Sequence, residues 1–425
     1  MSQTANPIER FITATRRNCP ERVRFSQYEV IVKRLKCIAE QMGFRIDVKI
    51  VYSAARAVEH VKISGVTWLI YDQYMAQSMN LLNRLFIEAD SDHPAIVYFH
   101  KVLAERLVDV SRLHEALHCA SFYHNSRDVL QPQYVDEHWR NVLTVTHEKF
   151  LLYHEFGHCI FSETDSLPVM REHVQFLIDH NVNSKKRSFD GALAMLKSAP
   201  PAAYHHQSLD EAIAELENQY SNKQSQHYTE ALLAALAEAE TKEEVFCDVL
   251  AADFCVHEAR LDHIDVENTL RAIYIGFYHL QALEYIRRFP SLPAGTVEWA
   301  ADNVPRVQAR SHCLRAHLIF LYQIELSQYR KISESEADDL LEKFQISLMG
   351  DQKRYYDLIY DGAIGLCENL RKDAWIAELG QEAIQDLEEG RKLAGKSEMS
   401  SISADDLTKI VLILTGWFKL ENVTT

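Results

Sequence analysis

Residues Leu151 to Ile160, LLYHEFGHCI, set two histidines and a glutamate inside an otherwise apolar run. On a helix, residues four apart stand one above the other, so His154 and His158 can offer ring nitrogens to one ion. Glu155 then flanks that ion, where a carboxylate can handle the proton of an activated water. Leu151, Leu152, Phe156, Cys159 and Ile160 leave the segment almost no solvated face, so the fold must bury it on most sides. Gly157 lets another backbone come close, at a helix-propensity cost of about 1 kcal/mol relative to Ala. Cys159 reads as core filler.

The same spacing occurs 40 residues earlier, at His114, Glu115 and His118. There the apolar positions Leu103, Leu107, Val110, Leu113 and Leu117 form one stripe, while Glu105, Arg106, Asp109 and Arg112 continue a solvated face. That pattern predicts an ordinary surface helix, with Leu117 where the later copy has Gly157.

Catalytic zinc usually takes three protein ligands and a water, so two histidines need a third partner. Glu244 is the candidate, at the head of a run with small residues, Glu244 to Asp253, suited to close helix packing. Asp248, one turn on, can accept the free ring N–H of a ligand histidine and fix its tautomer. A competing reading is open: Thr241 to Glu244 also fits a capping box, in which the glutamate only satisfies a backbone N–H. Glu163 and Asp165, just past the motif helix, are weaker ligand candidates. His147 lies seven residues before His154, about 10 Å along the axis, and cannot share its ion. Phe161 and Thr164 stand where a metzincin would need Gly and His.

His154 to His158 and Glu244 to Ala251 resemble the two motifs of the gluzincins, the HExxH-plus-Glu zinc peptidases. They are similar to the stretches found in HtpX-type membrane peptidases and ImmA/IrrE-type soluble peptidases, with Cys247 where those families usually have Ala. The resemblance implies one zinc per chain held by His154, His158 and Glu244, with Glu155 as general base and Asp248 behind the ligands. It covers two short stretches, and 85 residues separate His158 from Glu244.

The chain has 425 residues and a net charge of −16, which opposes nucleic-acid or anionic-membrane binding by its whole surface. Lys185-Lys186-Arg187 is the one basic cluster, and a solvated loop explains it. Residues 1–24 are polar, and no run of 18 apolar residues occurs, so neither a signal peptide nor a membrane span is expected. Eight cysteines without a CxxC pair fit a reducing cytoplasm.

The expected fold class is α+β: a zincin-like peptidase domain over 1–260, with a polar insertion at about 181–242, followed by an all-α accessory domain over 261–425. Phe44 to Ile50 alternates as a half-buried strand, and Val58 to Ile63, Ser64-Gly65 and Val66 to Tyr71 read as a hairpin. An edge strand of such a sheet can hold a substrate backbone. Helical patterns then run over Asn268–Phe289, Arg306–Tyr329, Glu334–Met349 before Gly350, Tyr355–Leu370, Trp375–Leu387 and Asp405–Leu420. The insertion is expected to contribute a lid, with His205, His206, His227 and Tyr228 as candidate oxyanion donors.

These observations predict a cytoplasmic zinc endopeptidase that cuts a specific intracellular protein, and the resemblance to ImmA/IrrE-type peptidases implies a regulatory, stress-linked or phage-defence setting. The helical C-terminal part would bind that substrate or a regulator. Two other readings stay open: a non-catalytic helical interaction protein in which both HExxH copies are coincidental, and a metal site built on His114 and His118.

Overall fold

The computed structural model describes residues 6–16, 28–131, 136–163, 167–182, 211, 213, 223–289, 298–369 and 404–416. Helices dominate it, and one three-stranded sheet makes the class α+β. In chain order the first elements are α1 (Pro7–Thr15), α2 (Glu29–Gln41), β1 (Ile46–Val51), β2 (Glu59–Ile63) and β3 (Val66–Asp72). They are followed by α3 (Gln73–Glu88), α4 (His93–Asp109), α5 (Leu113–Ser126) and α6 (Glu137–Glu163). A helix α7 occupies residues 168–182. Then come α8 (Lys223–Ala237), α9 (Ala239–Leu261), α10 (Val266–Arg288), α11 (Glu298–Ile324), α12 (Glu334–Tyr355), α13 (Asp361–Asn369) and α14 (Ala404–Leu414). None of the described helices is long and apolar enough to cross a membrane.

The expected strands form. β2 and β3 pair antiparallel through Ser64 and Gly65, whose positive φ angles of 52° and 78° give the turn that suits the right-handed twist of a hairpin. β3 lies in the centre, with β1 parallel to it and β2 on the other edge. Asp72 closes β3 and caps α3 by accepting from the Tyr74 N–H. Arg16 neutralises that buried carboxylate at 3.1 Å.

The motif helix α6 packs most extensively on α9, and α10 and α3 cover further faces of it. At the α6–α9 crossing a Cβ on Gly157 would stand 3.0 Å from the Cα of Cys247, a contact tighter than side chains ordinarily make, so a methyl there would push the two helices apart by a few tenths of an ångström. Beneath the ligand face Phe150, Leu152, Tyr153 and Phe156 are fully enclosed. His147 turns toward α10, where its Nε2 lies 2.8 Å from the Ala272 carbonyl, well away from any ion at His154. One continuous apolar core runs from Tyr28 to Leu414, with members on both sides of position 260.

Three expectations are corrected. The stripe Leu103 to Leu117 is not one helix: α4 ends at Asp109, the chain turns at Ser111 with φ 63°, and α5 starts at Leu113. Glu105 is not solvated but fully buried, because the Arg56 guanidinium and the Tyr74 hydroxyl (3.0 Å) satisfy its carboxylate. Gly350 does not end a helix either. α12 runs through it to Tyr355 and continues by a wide turn, Tyr356–Tyr360, into α13. A helical glycine costs only about 1 kcal/mol, and buried Leu348 and Tyr355, with the Arg271–Asp351 pair at 2.8 Å, outweigh it. Trp375–Leu387, Lys185–Arg187, Asp165, His205 and His206 lie outside the described residues.

Gly157→Ala should lower the thermal unfolding midpoint despite alanine's better helix propensity, since overpacking at a tight contact costs about 1–3 kcal/mol. Calorimetry checks this, and an unchanged or raised midpoint would mean the two helices are free to separate.

Candidate metal centre

The α6–α9 crossing sets the relative height of two short ladders of side chains. On α6 the one-turn spacing of His154 and His158 presents both rings to α9, their centroids 5.0 Å apart and nearly perpendicular. On α9 Glu243, Glu244 and Asp248 face them. Glu244 Oε2 lies 3.4 Å from His154 Nε2, and Oε1 lies 3.6 Å from His158 Nε2. Those three donors fall within 4.8 Å of one another, and among the described residues they are the one group of three or more that can hold a metal ion. Among the described residues His114 and His118 belong to no such group.

The far nitrogens of both rings meet carboxylates. His158 Nδ1 is 2.8 Å from Glu243 Oε1, and His154 Nδ1 is 3.0 Å from Asp248 Oδ1, although that oxygen stands off the line of the ring N–H. Ligand histidines in metal sites characteristically have such a carboxylate behind them, which fixes the tautomer and raises basicity. The donor set therefore fits a divalent ion with N and O preference, and two imidazoles with one carboxylate is a composition that zinc accepts. Sequence spacing located Asp248 for this role and missed Glu243, whose place beside Glu244 on the ion-facing side follows from the rotation of α9 alone.

Glu244 does not cap a helix. α9 begins at Ala239, behind Glu238, so Glu244 is already in its second turn, and the Thr241 hydroxyl is buried without a hydrogen bond. The capping box is not formed. Glu163 is also engaged elsewhere, by Lys62 at 2.7 Å.

Gathering these carboxylates, with Asp248 fully buried, calls for a cation, and α11 provides it. Arg310 grips Asp248 through Nε and Nη2, both at 2.9 Å, and reaches Glu244 Oε2 with Nη1, also at 2.9 Å. Burial opposes ionisation of Glu244, but Arg310 and the two histidines outweigh it and hold its carboxyl well below the usual range. Asp248 is depressed against the same burial by Arg310 and His154. Burial also works against a charged His154, yet Asp248 and Glu244 prevail and hold its ring at about 10.

Glu155 points to the open side. His60, on the edge strand β2, lies with Nδ1 3.4 Å from Glu155 Oε2 and stacks on His158 at 5.1 Å between ring centres. The hydrogen bond to Glu155 raises the His60 pKa against its burial. His60 was not legible as a site residue: a lone histidine in a hairpin gives no signal until the sheet is docked on α6. The centre opens into a cleft of about 280 Å³ whose walls include Leu151, Thr241, Gln281, Arg287 and Val307.

Comparison with protein families, with curated proteins and with solved structures finds no match to this chain.

Purified protein should carry about one metal ion per chain by plasma mass spectrometry, lost in His154→Ala and Glu244→Gln but kept in His114→Ala; loss in His114→Ala alone would move the site to α5. Arg310→Met should destabilise the metal-free protein by about 3–5 kcal/mol, as breaking one partner of a buried ion pair does. Added zinc should then raise its melting temperature more than it raises that of the unaltered protein, because the ion replaces the lost counter-charge at Glu244. Equal zinc-induced shifts would show that Arg310 and the ion do not share the carboxylate.

Proposed function

We propose that this chain is a zinc-dependent endopeptidase with a zincin-like catalytic unit, in which His154, His158 and Glu244 hold the metal. The observation that carries the reading is the convergence of their three donor atoms within 4.8 Å at the wall of an open cleft, with Glu155 directly beside them. The sheet supports it as well, since among the described residues β2 is an edge strand next to the motif helix, with one backbone side on which no other strand pairs and an extended peptide can. Bound zinc would supply Lewis acidity, polarising a carbonyl and lowering the pKa of water.

The protein's own residues divide the remaining work. Glu155 is placed to accept a proton from the attacking water and to return it to the leaving amine. His60 holds the Glu155 carboxylate from the sheet side and keeps it oriented toward the cleft. Glu243 and Asp248 hold the two ligand rings, and Arg310 holds Glu244 and Asp248. The substrate is read as an intracellular protein, with the C-terminal helices as its docking or regulatory part.

Glu155→Gln should retain zinc while reducing cleavage of a peptide library by at least about 10²-fold, the usual worth of a positioned general base. Mass spectrometry of the products reads the outcome; cleavage at the unaltered rate would remove Glu155 from the mechanism, and bound metal with no cleavage in either form would favour the non-catalytic interaction protein.

A further inference from the structure

The cleft beside the candidate metal centre carries two guanidiniums at one place. Arg287 and Arg288, at the end of α10, both line it and both bind the same carboxylate, Glu284. Arg287 makes contacts of 2.6–2.8 Å to both oxygens of Glu284, and the Arg288 guanidinium closes on Oε1. Among the described residues the two guanidiniums share this one direct carboxylate partner, and Glu59 and Glu155 act on Arg287 at longer range.

Among the described residues the other arginines of the cleft do not share a carboxylate with a second arginine. Arg56 is matched by Glu105, Arg306 by Glu238 (2.7 Å) and Glu240 (3.4 Å), and Arg310 by Glu244 and Asp248. Arg287 also lies within electrostatic range of Glu59 and Glu155, and both arginines line the same cleft as Glu155. Arg288 is 53% exposed, so its charge is available to a bound molecule at little desolvation cost. A carboxylate entering there would meet planar N–H donors suited to bidentate pairing.

We infer that Arg287 and Arg288 form a subsite for a carboxylate side chain, and that the preferred substrate carries Asp or Glu next to the bond presented to the metal centre. This deepens the peptidase reading and rests on it. The Glu284 carboxylate holds both guanidiniums at the cleft wall, which limits the side-chain freedom that binding would have to remove.

Three peptide hydroxamates, identical except for Glu, Gln or Lys beside the hydroxamate, test it by calorimetric titration of the zinc-loaded full chain. The Glu compound should bind at least tenfold more tightly than the Gln compound and more tightly still than Lys, with the difference shrinking as salt is raised. Arg288→Glu, a change at an exposed side chain, should reverse the order while zinc content stays the same. Equal affinities for the three compounds, or an order unaltered in Arg288→Glu, would overturn the subsite while leaving the metal centre standing. Failure of all three to bind would overturn the metal centre and the subsite together.

Discussion

The contact between Gly157 and Cys247 governs what the rest of the molecule can do. Two helices normally keep axes 8–10 Å apart because side chains intervene, and here one side chain is missing at the crossing. Close approach brings groups only two or three bonds beyond Cβ into contact across the interface, and short reach means few rotamers. His154 and His158 therefore meet Glu243, Glu244 and Asp248 with little conformational freedom left to lose. The large enclosed rings beneath them, Phe150, Tyr153 and Phe156, keep α6 from rotating away.

Bringing carboxylates together in that space creates a second requirement, which the helices after position 260 meet. Arg310 comes from α11, 62 residues beyond Asp248, yet it is bonded to two of the groups that define the centre. The centre is thus a joint product of the two halves of the chain. The expected division into a catalytic and an accessory part has a boundary at 260, whereas the charge balance of the site spans it.

Much of this was written locally and could be read there. The one-turn ladder His154, Glu155 and His158, the glycine in its midst, the Glu244–Asp248 pair and the β2–β3 hairpin each depend on neighbours within a few residues, where periodicity and turn chemistry are informative. Arg310 and His60 depend on docking of distant elements, and their sequence surroundings resemble any charged helix or any strand. Glu105 was misread for the same reason: a carboxylate on a helix looks solvated until Arg56, whose backbone sits at φ 47°, arrives from a loop to meet it. Gly350 misled in the opposite sense, because burial on either side of it decided the helix and local propensity did not.

The hold of Arg310 on Glu244 bears on how the protein would be made. In a zinc finger the ligands repel or remain loose until the ion arrives, so metal and fold appear in one step. Here the candidate ligand carboxylate already has a partner and the surrounding core is already continuous, so an ion taken up at this site would bind a chain whose fold does not wait for it. Occupancy of the site would then follow the supply of metal instead of the rate of synthesis.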